Sequence, residues 1–161
     1  MMNDADILKE LRFGFLGSYA VAGMGEPWVS KMERTHGLLR EMRIGGILTL
    51  TEDDLYGTLH QKAGFLHHHE PIDDTLAPSI EGMDRAVSFM DHCLNQAFGV
   101  AVHCLEGRGR TGTILGAWLG IRESLNPENA VRRIYELRPH TLLTPAQKKF
   151  LYEYLDPCRK S

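Results

Sequence analysis

Only three cysteines, Cys93, Cys104 and Cys158, stand in 161 residues. So small and odd a number makes no disulfide framework, which leaves an apolar core to hold the fold and points to a reducing compartment. Long hydrophobic runs are missing too. No stretch approaches the roughly 20 apolar residues that span a bilayer, and the chain opens polar and acidic rather than as a secretory leader. These absences predict a soluble, cytoplasmic protein with no membrane contact. Charge of one sign is equally scarce: Lys and Arg number 18 against 21 Asp and Glu, a net charge of −3. No global basic field is available for nonspecific binding of nucleic acid. Internal repeats, biased tracts and linker-like segments are absent, so residues 1–161 are expected to form a single domain, with 43% hydrophobic residues to build its core. The run His67-His68-His69 is weak ground for a metal site, because successive strand residues point to opposite faces and cannot all meet one ion. No metal is expected.

Short apolar runs at residues 13–16, 44–50 and 100–102, with a weaker fourth at 65–69, have the length and flanks of buried strands. Apolar residues recur at helical spacing over 31–42 and 80–98. From about residue 111 the pattern is wholly helical, over 111–123, 127–137 and 145–155, and Asn126-Pro127 and Thr144-Pro145 each place a capping side chain before a proline at the first helical position. Gly112, Gly116 and Gly120 recur every four residues and would let the first of these helices approach a neighbour closely. The expectation is an α/β fold, a central mixed and largely parallel sheet flanked by helices, with the C-terminal helices on one face.

Residues 100–113 read Val-Ala-Val-His-Cys-Leu-Glu-Gly-Arg-Gly-Arg-Thr-Gly-Thr, a buried strand followed by a glycine-bearing loop and a helix start. Between Cys104 and Arg110 lie Leu105, Glu106, Gly107, Arg108 and Gly109. The two glycines let the backbone curl and aim consecutive N–H groups at one point, and the helix beginning near Thr111 directs its positive dipole end there. Such a loop suits a phosphate. Helix N-termini and neighbouring arginines lower a thiol pKa from about 8.5 by several units, so Cys104 is expected to be a thiolate nucleophile inside its own anion site. Arg110 carries a planar fork matched to two phosphate oxygens.

The order His103-Cys104, five residues, Arg110-Thr111 resembles the signature of the cysteine-dependent protein tyrosine phosphatase superfamily. The resemblance implies a phosphotyrosine-phosphatase-like fold and a two-step hydrolysis without cofactor. In it Cys104 attacks phosphorus, Arg110 binds substrate and stabilises the transition state, and His103 orients the loop. Thr111 would set a hydroxyl against the sulfur, although a helix N-cap would use that hydroxyl as well. Displacing an alkoxide or phenolate needs a proton donor on the leaving oxygen. Residues 70–79, Glu-Pro-Ile-Asp-Asp-Thr-Leu-Ala-Pro-Ser, resemble the family's general-acid loop, and matching Pro71, Pro78 and Ser79 puts the acid on Asp74, with Asp73 as the alternative. An Asx-turn ahead of the next helix would employ the same pair. The resemblance gives Gln147 the placing of the hydrolytic water, while Thr144-Pro-Ala-Gln147 reads equally as a capping box. In such phosphatases a second cysteine can trap the oxidised nucleophile as a disulfide, and Cys93 and Cys158 are the two available. Arg132, Arg133, Arg138 and His140 form either a solvated helix face or a border of the cleft.

The likeness extends over residues 37–155 without the long insertions of tyrosine-specific enzymes, so a shallow pocket is expected. This is nearest to the small atypical dual-specificity phosphatases, VHZ-like and archaeal-type, through Gly-Arg-Thr-Gly-Thr-Ile-Leu at 109–115. It implies a phosphorylated protein or peptide as partner, with phosphotyrosine and also phosphoserine or phosphothreonine as substrates. Phosphoinositide phosphatases share the chemistry but usually line the loop with two lysines. Here Leu105 and Glu106 take much of that space, and Glu106 would oppose a highly anionic head group. RNA 5′-triphosphatases are disfavoured by the missing basic field, so no nucleic acid is expected. A catalytically inactive phosphate-binding module is the reading from outside enzymology.

Overall fold

The computed structural model of the protein describes residues 2–160. Four parallel strands and one antiparallel edge strand form its sheet: β1 (Gly14–Phe15), β2 (Val21–Met24), β3 (Ile44–Thr49), β4 (Leu66–His69) and β5 (Gly99–His103), in the order β1-β2-β5-β3-β4. Only the β1–β2 pair is antiparallel. The expected mixed, largely parallel sheet is therefore present. One expectation needs correction, and one strand carries no sequence signal. The run at 13–16 supplies no buried strand but a two-residue edge strand with Phe15 exposed. The strand beside β5 on that side is β2, whose small residues Ala22 and Gly23 deprive it of the bulky β-formers that mark a strand in sequence.

Alternating side chains divide the core between the two faces of the sheet. Val21, Leu48, Val100 and Val102 pack against α4 (Ile80–Asn95), α5 (Arg110–Arg122), α6 (Pro127–Leu137) and α7 (Pro145–Tyr154). Ala22, Met24, Ile47 and Ala101 pack against α1 (Asp4–Glu10) and α2 (Met32–Glu41), with α3 (Gly57–Lys62) nearby. The C-terminal helices thus lie on one face, as expected. Asn126 and Thr144 cap α6 and α7 through their side chains, each with proline in the first turn. The glycine stripe on α5 is a surface of close approach: a Cβ at Gly112 would lie 2.6 Å from Thr141, and one at Gly120 would lie 2.5 Å from Leu155. Helices α1 and α3 escape the periodicity reading because they are short, though Asn3 and Asp6 form a complete capping box at the start of α1.

β5 sits between β3 and β2, so the chain from β4 passes through α4 and over β3 to reach the middle of the sheet. The crevice beyond the C-terminal ends of β2, β5 and β3 is where an open α/β sheet offers a ligand site.

Candidate active site

Residues 104–109 leave β5 in a loop whose carbonyl groups all point away from a common centre. His103 Nδ1 meets Cys104 O at 3.1 Å, and Glu26 N–H donates to Leu105 O at 2.9 Å. Arg12 holds Glu106 O at 3.3 Å, and the Arg138 fork holds Gly107 O at 3.3 and 2.9 Å. Leu142 N–H donates to Arg108 O at 3.3 Å, and Thr113 closes the series on Gly109 O. In a trans peptide the carbonyl and the following N–H point in opposite directions. Six outward carbonyls therefore turn the N–H groups of residues 105–110 inward, which makes an anion cradle at the start of α5. Gly107 has φ +75°, and a Cβ there would come within 2.5 Å of the Met24 backbone, so only glycine fits this turn.

Cys104 lies at the floor of the cradle, and its Sγ accepts from Gly107 N–H at 3.3 Å and from Thr111 Oγ1 at 3.1 Å. Helix α5 begins at Arg110 with Gly109 as its cap, so Thr111 is no N-cap and its hydroxyl belongs to the sulfur. Arg110 is buried, with Nη1 donating to Glu52 Oε1 at 2.5 Å and to Ile72 O at 2.9 Å, while Nη2 lies 3.5 Å from Asp74 Oδ1. Asp74, not Asp73, lines the cavity above Cys104, which measures about 270 Å³ and is shared with Thr75, Glu106, Leu142, Thr144 and Gln147. Hydrogen bonds from its own backbone amide and from Arg110 hold Glu52 below the usual carboxylate range.

Gln147 does what the capping-box reading requires, with Oε1 accepting from Thr144 N–H at 2.9 Å. Its amide nitrogen also donates to Leu76 O at 3.1 Å, and Thr144 Oγ1 donates to Thr75 O at 2.7 Å, so the start of α7 clasps the loop that carries Asp74. His103 is buried, and burial pushes its pKa down to about 4. Arg138 neither faces solvent nor borders the cleft. It is buried beneath Gly107, where desolvation lowers its pKa to about 10 and leaves it a cation at neutral pH. Arg132 and Arg133 pair with surface glutamates. Cys93 packs on Gly46, which pairs with Val100 at the far end of β5, so about 13 Å of strand keeps it from Cys104. A disulfide needs Cα atoms within about 7 Å, so Cys93 is no intramolecular trap for Cys104. Cys158 is exposed beyond α7. His67 and His69 bond to Thr49 and Thr51 O, whereas His68 turns to Glu70 and stacks on Phe89. Among the described residues no group of three or more His, Cys, Asp or Glu side chains is placed to hold a metal.

Glu52, Arg12 and Arg138 are site residues that sequence reasoning did not assign. Glu52 had one signal, its place just past the end of β3 at the ligand-binding edge of the sheet.

A cysteine at the floor of an anion cradle, at the C-terminal edge of a mixed sheet, is the arrangement of the tyrosine and dual-specificity phosphatase superfamily. Residues 22–123 match the family described as "Polymorphic toxin system, DSP-PTPase phosphatase", and the chain belongs to that family. It is 38% identical over 85 residues to MJECL20 of Methanocaldococcus jannaschii, covering 53% of this chain and 56% of that protein. It is 34% identical over 122 residues to the phosphatidylglycerophosphate phosphatase PTPMT1 of Arabidopsis thaliana, covering 72% of this chain and 36% of that protein. The chain thus spans about half or less of the length of these curated relatives. The crystal structure of Tk-PTP in its active form superposes with a TM-score of 0.79 at 25% identity, over 91% of this chain and 97% of that one. Among the described residues no helix is long and apolar enough to cross a membrane.

Proposed function

We propose that the chain is a protein phosphatase that hydrolyses phosphotyrosine, and also phosphoserine and phosphothreonine, through a phosphocysteine intermediate. The Cys104 thiolate attacks phosphorus while the inward amides and Arg110 hold the non-bridging oxygens. The incoming phosphate claims Arg110 Nη2 and frees Asp74, which in its protonated form gives its proton to the departing oxygen. Asp74 then takes a proton from water as that water attacks the phosphocysteine, and sulfur leaves as a thiolate supported by Thr111 Oγ1. No cofactor enters this cycle.

The observation that carries the substrate class is the charge around the cradle. Among the described residues, Arg108 and Arg110 are the only cations lining the cavity, Asp74 and Glu106 line it beside them, and Glu52 pairs with Arg110. Arg108 Nε is also committed to His140 O at 3.0 Å. One phosphate dianion on an uncharged stem, as a phosphorylated side chain presents, suits this balance better than a head group bearing further anions. A second reading, hydrolysis of a phospholipid monoester, is supported by the similarity to the Arabidopsis phosphatidylglycerophosphate phosphatase.

Phosphate release from a phosphotyrosine peptide, a phosphothreonine peptide, phosphatidylglycerophosphate and 5′-triphosphorylated RNA, each against the Cys104→Ser protein, tests the proposal. Peptide turnover that is lost by about 10³-fold or more in Cys104→Ser, with vanadate binding retained, is the expected result. Preference for the lipid or the RNA would overturn the substrate class, and release unaffected by Cys104→Ser would remove the nucleophile.

A further inference from the structure

We propose that Thr49 and His67 are positioning residues for the phosphate loop, acting through His103 to hold the Cys104–Leu105 peptide with its N–H turned into the cradle. Thr49, at the end of β3, places Oγ1 2.8 Å from His103 Nε2 and 2.9 Å from His67 Nε2. A hydroxyl has one proton, so it donates to one of these two ring nitrogens and accepts from the other.

The choice between them follows from the far side of His103. Its Nδ1 faces the Cys104 carbonyl, which can only accept, so Nδ1 carries the proton. Burial keeps the ring neutral, which leaves Nε2 bare. Thr49 must then donate to His103, and His67 Nε2–H must donate to Thr49. Asp54 Oδ1, 3.6 Å from the same His67 nitrogen, favours a proton there as well. The direction of every bond from residue 67 to residue 104 is thereby set. The end product is one rigid peptide plane, because fixing Cys104 C=O outward fixes Leu105 N–H inward. Without the Thr49 proton, the His103 tautomer protonated at Nε2 becomes accessible, and that tautomer has no hydrogen for the Cys104 carbonyl. The peptide could then turn its oxygen toward a phosphate.

The proposal rests on the phosphate-binding reading of the loop but not on any substrate class, so its test uses p-nitrophenyl phosphate and vanadate. Thr49→Val should lower kcat/KM by about tenfold or more and weaken vanadate binding in parallel, while Thr49→Ser stays within about threefold of the parent at an equal melting temperature. In the unmodified protein, long-range imidazole ¹H–¹⁵N spectra should show His103 protonated at Nδ1 and His67 at Nε2, a measurement independent of turnover. His67→Gln, which keeps a donor near the Nε2 position, should outperform His67→Leu, and this pair serves if Thr49→Val fails to fold. A His103 protonated at Nε2, or a folded Thr49→Val with undiminished kcat/KM and vanadate affinity, would overturn the assignment.

Discussion

Residues 104–109 and residues 70–79 face each other across one cavity, yet they are secured in different ways. The phosphate loop is fixed at every carbonyl by a partner from β5, the β2 exit, the α1 end, the α6 end, the segment between α6 and α7, or α5 itself. The acid loop is fixed at its base. Buried Glu70 is gripped by Arg85 at 2.9 and 2.8 Å, and Ile72 is buried and bonded to Leu50 O at 3.0 Å. Its tip is held by side chains alone, through two bonds from the start of α7, Asp74 N–H donating to Glu52 Oε2 at 3.4 Å and the Asp74–Arg110 contact, and the Asp74 side chain is 71% exposed. The surroundings of the proposed nucleophile are thus preorganised by backbone geometry, whereas the proposed acid sits on a segment held only by side chains at its tip. Transition-state stabilisation at phosphorus demands the first, and proton delivery to stems of different length benefits from the second.

The sharpest test of that division separates the acid from the cradle. Asp74→Asn should lower kcat by about 10²-fold or more on an alkyl phosphate and far less on p-nitrophenyl phosphate, whose leaving group needs little proton assistance. Asp73→Asn should match the parent on both, and equal losses on both substrates from Asp74→Asn would contradict the assignment. A smaller effect is expected from Arg138→Met, which leaves the Gly107 carbonyl without its fork. Denaturant unfolding should show a loss of about 1–3 kcal/mol. Vanadate affinity should fall with it, and unchanged affinity would mean that the cradle holds its shape without this support. Smallest is Thr144→Ala, which removes both an N-cap and a clasp on the acid loop. About 1 kcal/mol of stability and a few-fold of kcat on alkyl phosphates should be lost, with vanadate binding intact. Weakened vanadate binding in this variant would show that the two loops are coupled.

The cradle was legible in the sequence because its essential atoms are contiguous: strand, cysteine, glycines, arginine and helix follow within fourteen residues. Asp74 was legible to within one residue, since a proline-flanked acidic pair marks the loop but cannot say which carboxyl turns inward. What could not be read are the partners brought from afar. Glu52 meets Arg110 across 58 residues of chain, and Arg138 meets Gly107 across 31. Neither carries a local pattern. Thr111 and Gln147 each had two readings in sequence, and only the helix boundaries and the packing of α7 on the acid loop distinguish what their side chains touch.

Residues 110–120 are all buried, enclosed by the sheet, α4, α6 and α7, so the helix that points its positive end at the anion is shielded from the solvent ions around it. At physiological ionic strength mobile ions damp exposed charge interactions over about 8 Å, but they damp enclosed ones far less. The grip on a phosphate should therefore change little with added salt, while contacts at exposed Glu106 on the rim should fade. Ionic strength becomes a dial that separates recognition of the phosphoryl group from recognition of whatever carries it.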